Sequence, residues 1–155
     1  KNMNKQELVK DLTSRLLDQL GFEAEITVEE DEENEAVKVN LEVEEPGHLI
    51  GFHGKTLSAM QLILGLMLFH QLGEWQRVLI DINDYRQEQK DRLQKIAMNA
   101  AQRAKIGGQP VALSPMTPFE RRIIHITLSD DPAVETESSG ESPRRYVVIS
   151  PVSEE

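Results

Sequence analysis

Two short stretches carry residues whose types and spacing can do chemistry. The first is Gly51-Phe52-His53-Gly54, with two glycines three residues apart. Such glycines let a tight loop take positive φ angles and let another backbone come close. Lys55 and Thr56 follow, then an apolar run from Leu57. That run predicts a helix whose unpaired N–H groups point back at the loop. The combination can cradle a phosphate, and the competing reading is a simple tight turn. Phe52 can stack on a base and His53 can donate to a phosphate. The second stretch is Arg121-Arg122-Ile123-Ile124-His125. On a helix, Arg121 and His125 lie about 40° apart, and Arg122 lies about 100° from Arg121 on the His125 side. Phe119, Ile123 and Ile126 are expected on the opposite arc. A guanidinium beside an imidazole suits phosphate oxygens or stacking against a base. The competing reading is structural, with Arg121 bridging Glu120 or Asp130 and His125 a satisfied, partly buried ring.

Other chemistry finds little support. His48, His53, His70 and His125 are scattered, with no pair at metal-ligand spacing, so neither a metal nor a cofactor is expected. Gly54-Lys55-Thr56 matches the end of a phosphate-binding P-loop, but the glycine needed five residues earlier is Leu49. Ser58, Ser114 and Ser129 lack the glycines of a nucleophile elbow. The acidic run Glu29 to Glu35 lacks the alternating ligands and central glycine of a calcium loop, and reads as a solvated hairpin turn. No catalytic residue is expected, and the chain is read as a binder rather than an enzyme.

The elements that must position these stretches are legible from periodicity. Leu8, Leu12, Leu16, Leu17 and Leu20 recur at helical spacing and Gly21 stops the helix. Ile26 and Val28 start a strand; Val37, Val39, Leu41 and Val43 alternate strictly with polar residues in the next. The helix after the glycine turn, from about Lys55 to Phe69, is apolar almost all round and is expected as a central core element. Val78, Ile80 and Ile82 alternate as a third strand, with Trp75 expected to pack beside it. Asn83 or Asp84 is expected to cap a long helix from about Tyr85 to Lys105, whose buried stripe includes Leu93, Ile96 and Ala97. Thr117, Pro118 and Glu120 give a helix start with an N-cap hydroxyl, a proline at the first position and a capping-box glutamate. Residues 135–143 are expected to be a polar connection, and Tyr146 to Ile149 a last strand.

Composition sets limits. The chain has 155 residues, no cysteine and a net charge of −10. The absence of cysteine excludes disulfides and thiolate sites and fits a reducing compartment. No apolar run behind basic residues marks a secretory leader, and the longest apolar stretch, Leu62 to Phe69, falls short of the ~20 residues of a membrane span. The expectation is a soluble cytoplasmic protein without a membrane span. An acidic total opposes phosphate binding, yet residues 84–128 carry 4 acidic and 8 basic side chains. A local basic patch is therefore available for a polyanion.

The element order and the run Gly-His-Leu-Ile-Gly-Phe-His-Gly-Lys-Thr-Leu resemble a type II KH domain, whose glycine loop clamps about four single-stranded nucleotides. In that family the two central loop positions are often basic, whereas here they are Phe52 and His53. Ser-Pro-Met-Thr-Pro-Phe-Glu-Arg-Arg-Ile-Ile-His, followed by Arg-Arg-Tyr-Val-Val-Ile, resembles the R-three-H domain, named for an Arg-x-x-x-His motif that Arg121 and His125 match. The pairing resembles the bacterial Jag family, also called KhpB or SpoIIIJ-associated protein, without its N-terminal Jag domain. The resemblance implies an α+β fold of two small modules. Residues 1–83 would form a KH domain, a three-stranded sheet with helices on one face. Residues 84–155 would form the R-three-H domain, a short sheet packed on helices. It further implies binding of single-stranded RNA, with single-stranded DNA left open, as an RNA chaperone or post-transcriptional regulator. The residues implied are Gly51, Phe52, His53, Gly54 and Lys55 in the loop and Arg121, Arg122 and His125 on the helix, helped by Arg86, Lys90, Arg144 and Arg145. A small KH-only protein is an implied partner, and a homodimer is open. The alternative is a protein-interaction scaffold linked to cell elongation or division, with weak RNA affinity.

Overall fold

The computed structural model describes residues 4–152. By its internal contacts the chain forms two compact units, Lys1–Arg86 and Gln87–Glu155. Both mix helix and sheet, so the fold is α+β.

In the first unit, helix α1 (Lys5–Leu20) starts at a capping box in which Asn4 and Glu7 satisfy each other's backbone N–H, and Gly21 in the left-handed region ends it. Strands β1 (Glu25–Asp31) and β2 (Ala36–Glu42) form an antiparallel hairpin. Asn34 makes its bend, binding Asp31 through both its backbone N–H and its side-chain amide. A one-turn helix α2 (Gly47–Ile50), a 3-10 turn (Phe52–Gly54) and helix α3 (Lys55–Leu72) lead into β3 (Arg77–Ile82), which pairs parallel to β2. The sheet order is β1-β2-β3. Its buried face (Val37, Val39, Leu41, Val78, Ile80, Ile82) packs with α1 and α3 side chains in one core.

Three expectations fail here for physical reasons. α3 is not buried all round: Leu57, Met60, Leu64 and Leu68 are in the core, but Leu62, Ile63, Leu66 and Phe69 face outward. The segment Gly47–Leu72 has 26 residues, long and apolar enough to cross a membrane. Gly51 breaks it, and one side of α3 is committed to the core. Trp75, expected to pack beside β3, is largely exposed and sets its ring over Gly65 of α3 instead. Nor does Asn83 cap the next helix. Its side chain instead extends the sheet, accepting from Val43 N–H at 2.9 Å and donating to Val43 C=O at 2.8 Å. Asp81 takes the cap role, accepting from the Arg86 N–H at 3.3 Å.

The second unit is built on helix α4 (Tyr85–Gly107), strand β4 (Val111–Ala112), helix α5 (Pro118–Leu128) and strands β5 (Val134–Ser139) and β6 (Tyr146–Pro151). Its sheet runs β4-β6-β5, all antiparallel. Leu93, Ala97, Ala100 and Ala104 of α4 pack with Ile124, Leu128, Val134, Val147 and Ile149, while Ile96 faces out. Small alanines let α4 lie close to the other layers. The stretch expected as a connection is thus in part a strand, β5.

Truncating Leu64 and Leu66 should separate the two sides of α3. Leu64→Ala opens a core cavity and should cost about 2–5 kcal/mol in urea unfolding. Leu66→Ala, on the outer side, should change stability by no more than about 0.5 kcal/mol.

Candidate nucleic-acid interface

The glycine loop is held by two close approaches. Gly51 has φ 72° and ψ −177°, a conformation open to glycine, and a Cβ there would lie 2.2 Å from Thr56 Oγ1. Gly54 has φ 74°, and a Cβ there would meet the Tyr85 ring at 3.4 Å. Between them His53 is itself left-handed, with φ 52°. No side chain caps α3 at Gly54; the 3-10 turn takes up the Gly54 and Lys55 N–H groups, which donate to the Gly51 and Phe52 carbonyls, and the positive end of the helix dipole lies at the loop. Phe52 is 74% exposed. Its ring meets His53 edge-on at 4.2 Å between centroids, and Lys55 Nζ stands 5.8 Å from its centre. The loop therefore offers an aromatic face, one lysine and a positive helix end on a backbone held by packing.

The α5 site begins with the capping box the sequence predicts: Glu120 N–H donates to Thr117 Oγ1, and Thr117 N–H to Glu120 Oε2. Glu120 is buried nonetheless, and Gln89 of α4 donates to its other oxygen at 2.8 Å. The face assignments of α5 need correction. Glu120, Ile124 and Leu128 are its buried stripe, while Phe119 and Ile126 are exposed on the same side as Arg122. Arg121 and His125 flank the stripe, half-buried against β5.

There they form one polar network. Arg121 Nη1 donates to Ser138 Oγ at 3.0 Å, and the His125 ring nitrogens lie 2.9 Å from Ser138 Oγ and 2.7 Å from Thr136 Oγ1. Arginine can only donate. Ser138 Oγ therefore accepts from it, and the His125 ring pairs with both hydroxyls, one nitrogen donating and the other accepting while the ring is neutral. Arg121 Nε is buried with no hydrogen-bond partner among the described residues. Arg145 Nη2 reaches the Ser138 carbonyl at a long 3.5 Å, bringing that side chain to the same strand. Glu135 and Glu137 alternate onto the other side of β5.

The remaining candidate residues divide cleanly. Arg86 is engaged inside the first unit, donating to Ile80 C=O and to Gln61 Oε1, both at 3.0 Å. It braces β3, α3 and the start of α4. Lys90, Arg122 and Arg144 are exposed. Sequence reading placed Thr56 at the loop's helix end and Tyr85 at the start of α4, but missed Thr136, Ser138 and Gln61 and the packing of Tyr85 against Gly54. The alternation Val134-x-Thr136-x-Ser138 signalled two of them.

Burial, and then the neighbouring Arg121 charge, hold the His125 pKa below its ordinary 6.5. The unfolded chain therefore takes up this proton before the folded one does as pH falls. The neutral ring contributes stability above pH 6.5 that is lost as pH drops through the folded value. Thermal melts should show stability falling in the window just below pH 6.5. His125→Gln, which keeps a donor and an acceptor but cannot titrate, should flatten that decline.

Comparison with known proteins bears on both sites. Residues 6–82 match the KhpA/KhpB KH domain family, and residues 91–151 match the R-three-H domain family. A Clostridium symbiosum protein named RNA-binding protein KhpB is 36% identical over 94% of this chain and 65% of its own length. Relatives of the same name from Streptococcus pneumoniae serotype 2 and Bacillus subtilis strain 168 are 34% and 32% identical over 86% and 84% of this chain. The chain spans 40% and 63% of those two proteins. With both domains matched in order, this chain belongs to the KhpB family.

Proposed function

We propose that the chain binds single-stranded RNA with the Gly51–Gly54 loop and the exposed cations of its second unit, and that it is a binder rather than an enzyme. One observation carries this reading: Phe52 stands exposed on a glycine-framed loop, at a helix end that no side chain caps. The positive helix end and Lys55 suit phosphate, and the ring suits a base, at about 1–3 kcal/mol per stack. Arg122, Lys90, Arg144 and Arg145 supply the positive charge of the second unit. Arg121 and His125 act chiefly by fixing α5 on β5, which sets the direction of Arg122. The curated relatives' name, RNA-binding protein KhpB, supports the same reading. The proposal extends to a cytoplasmic RNA chaperone or post-transcriptional regulator that works with a small KH-only protein. Preference for RNA over the same DNA sequence would come from 2′-hydroxyl contacts.

Aspartates at Gly51 would test the loop poorly, because any Cβ there collides with Thr56. Phe52 and His53 are exposed, so the double variant Phe52→Asp, His53→Asp should fold. Against a short labelled single-stranded RNA it should lose affinity at least about tenfold, one stack plus charge repulsion. Arg122→Glu should also weaken binding and make it less salt-dependent. Unchanged affinity in both variants, with folding intact, rejects the proposal.

A further inference from the structure

The sheet of the first unit has two edges, and they differ. Asn83 N–H donates to the Leu41 carbonyl, so Leu41 turns its backbone groups toward β3. Alternation gives Val39 and Val37 the same direction. Ile26, Val28 and Glu30 stand opposite those three in the hairpin. They therefore turn their N–H and C=O groups to the outer edge of β1. On the outer edge of β3 the equivalent groups are taken up by side chains. Ile80 N–H donates to Gln61 Oε1, Ile80 C=O accepts from Arg86 Nε, and Ile82 N–H donates to Asp81 Oδ1. On β1, among the described residues, neither a strand nor a side chain takes them.

A free edge is a template for one more strand. A groove of about 670 Å³ lies along it, between Glu7, Lys10 and Ser14 of α1 and Ile26 and Val28 of β1. Ile26 and Val28 are half-buried against the core and offer an added strand an apolar floor. On the opposite side of β1, Glu25, Thr27 and Glu29 are exposed.

Charge selects the occupant. Residues 23–42 carry nine acidic side chains and one basic one. β1 itself holds Glu25, Glu29, Glu30 and Asp31, with no lysine, arginine or proline. A second copy laid on this edge would set like charges against each other in adjacent strands, which is destabilising. A strand with cations on its solvent side gains opposite-charge pairs instead. The acids that refuse a second copy thus admit a basic segment.

We propose that the outer edge of β1 takes up an extended basic segment of another protein as a fourth strand. Its lysines or arginines lie on the solvent side beside Glu25 and Glu29. Small aliphatic side chains alternate with them over Ile26 and Val28. The pairing is separate from RNA binding, since it uses no residue of the glycine loop or of α5.

The probe is a capped peptide, Lys-Val-Lys-Val-Lys-Val-Lys, added to the isotope-labelled chain in low salt. Without it, the Ile26, Val28 and Glu30 amides should exchange quickly with solvent, while Thr27 and Glu29, paired to β2, exchange slowly. With saturating peptide, exchange at Ile26 and Val28 should slow at least about tenfold as they enter a new ladder. The double variant Glu25→Lys, Glu29→Lys changes exposed positions only and should keep its circular dichroism spectrum. It should bind the peptide at least about tenfold more weakly, and bind the counterpart with glutamate for lysine instead. Four outcomes overturn the proposal: no binding by the unaltered chain; binding that leaves Ile26 and Val28 exchange unchanged, which is surface attraction alone; equal binding by the charge-reversed variant; or slow exchange at these amides that appears without peptide as the chain is concentrated, which marks a second copy on the edge.

Discussion

A Cβ on Gly51 would lie 2.2 Å from the Thr56 hydroxyl, and much of the first unit depends on there being none. The backbone at this point takes a conformation that a side chain forbids, which turns the chain from α2 into α3 within four residues. That turn decides where α3 begins and how it is rotated. Its rotation puts Leu57, Leu64 and Leu68 under the sheet and Leu62, Leu66 and Phe69 on the outside. Its start sets the positive end of the helix dipole beside Phe52 and Lys55. Binding loop, core and the exposed outer side of α3 are three consequences of one local constraint.

The second constraint is the scarcity of positive charge. Several cations of this acidic chain serve the fold itself. Arg86 ties β3 to α3, Arg121 ties α5 to β5, Arg15 pairs with Asp11 and Lys105 with Asp131. Those left facing solvent around the two sites are few, so attraction of a polyanion must be local. This gives Phe52 more weight than it would have in a loop with two central cations, because stacking does not depend on net charge.

Much of the architecture was legible beforehand because local rules and tertiary packing agree there. The strict alternation Val37, Val39, Leu41 is a strand with those residues inward, and Thr117, Pro118 and Glu120 start a helix as their types require. What was not legible lies where one signal has two meanings. An all-apolar helix tells its burial but not its sidedness, so the outer face of α3 was hidden. β5 reads as a polar linker because its inward positions after Val134 are Thr136 and Ser138, hydroxyls that match Arg121 and His125 rather than an apolar layer. Asn83 and Asp84 both suit a helix cap by type, yet Asp81 reaches the helix and Asn83 the sheet. At the candidate site, motif spacing located the right helix and loop. It could not tell cations that face solvent, such as Arg122, from those held inside, such as Arg86.

Backbone amide shifts in an isotope-labelled chain titrated with a short single-stranded RNA test the central claim most directly. The account predicts the largest changes at Phe52–Gly54, Lys55 and the first turn of α3, with a second set around Arg122 and Arg145. The acidic turn between β1 and β2 should stay silent. Changes centred on β1, or none at the loop under low salt, would contradict it.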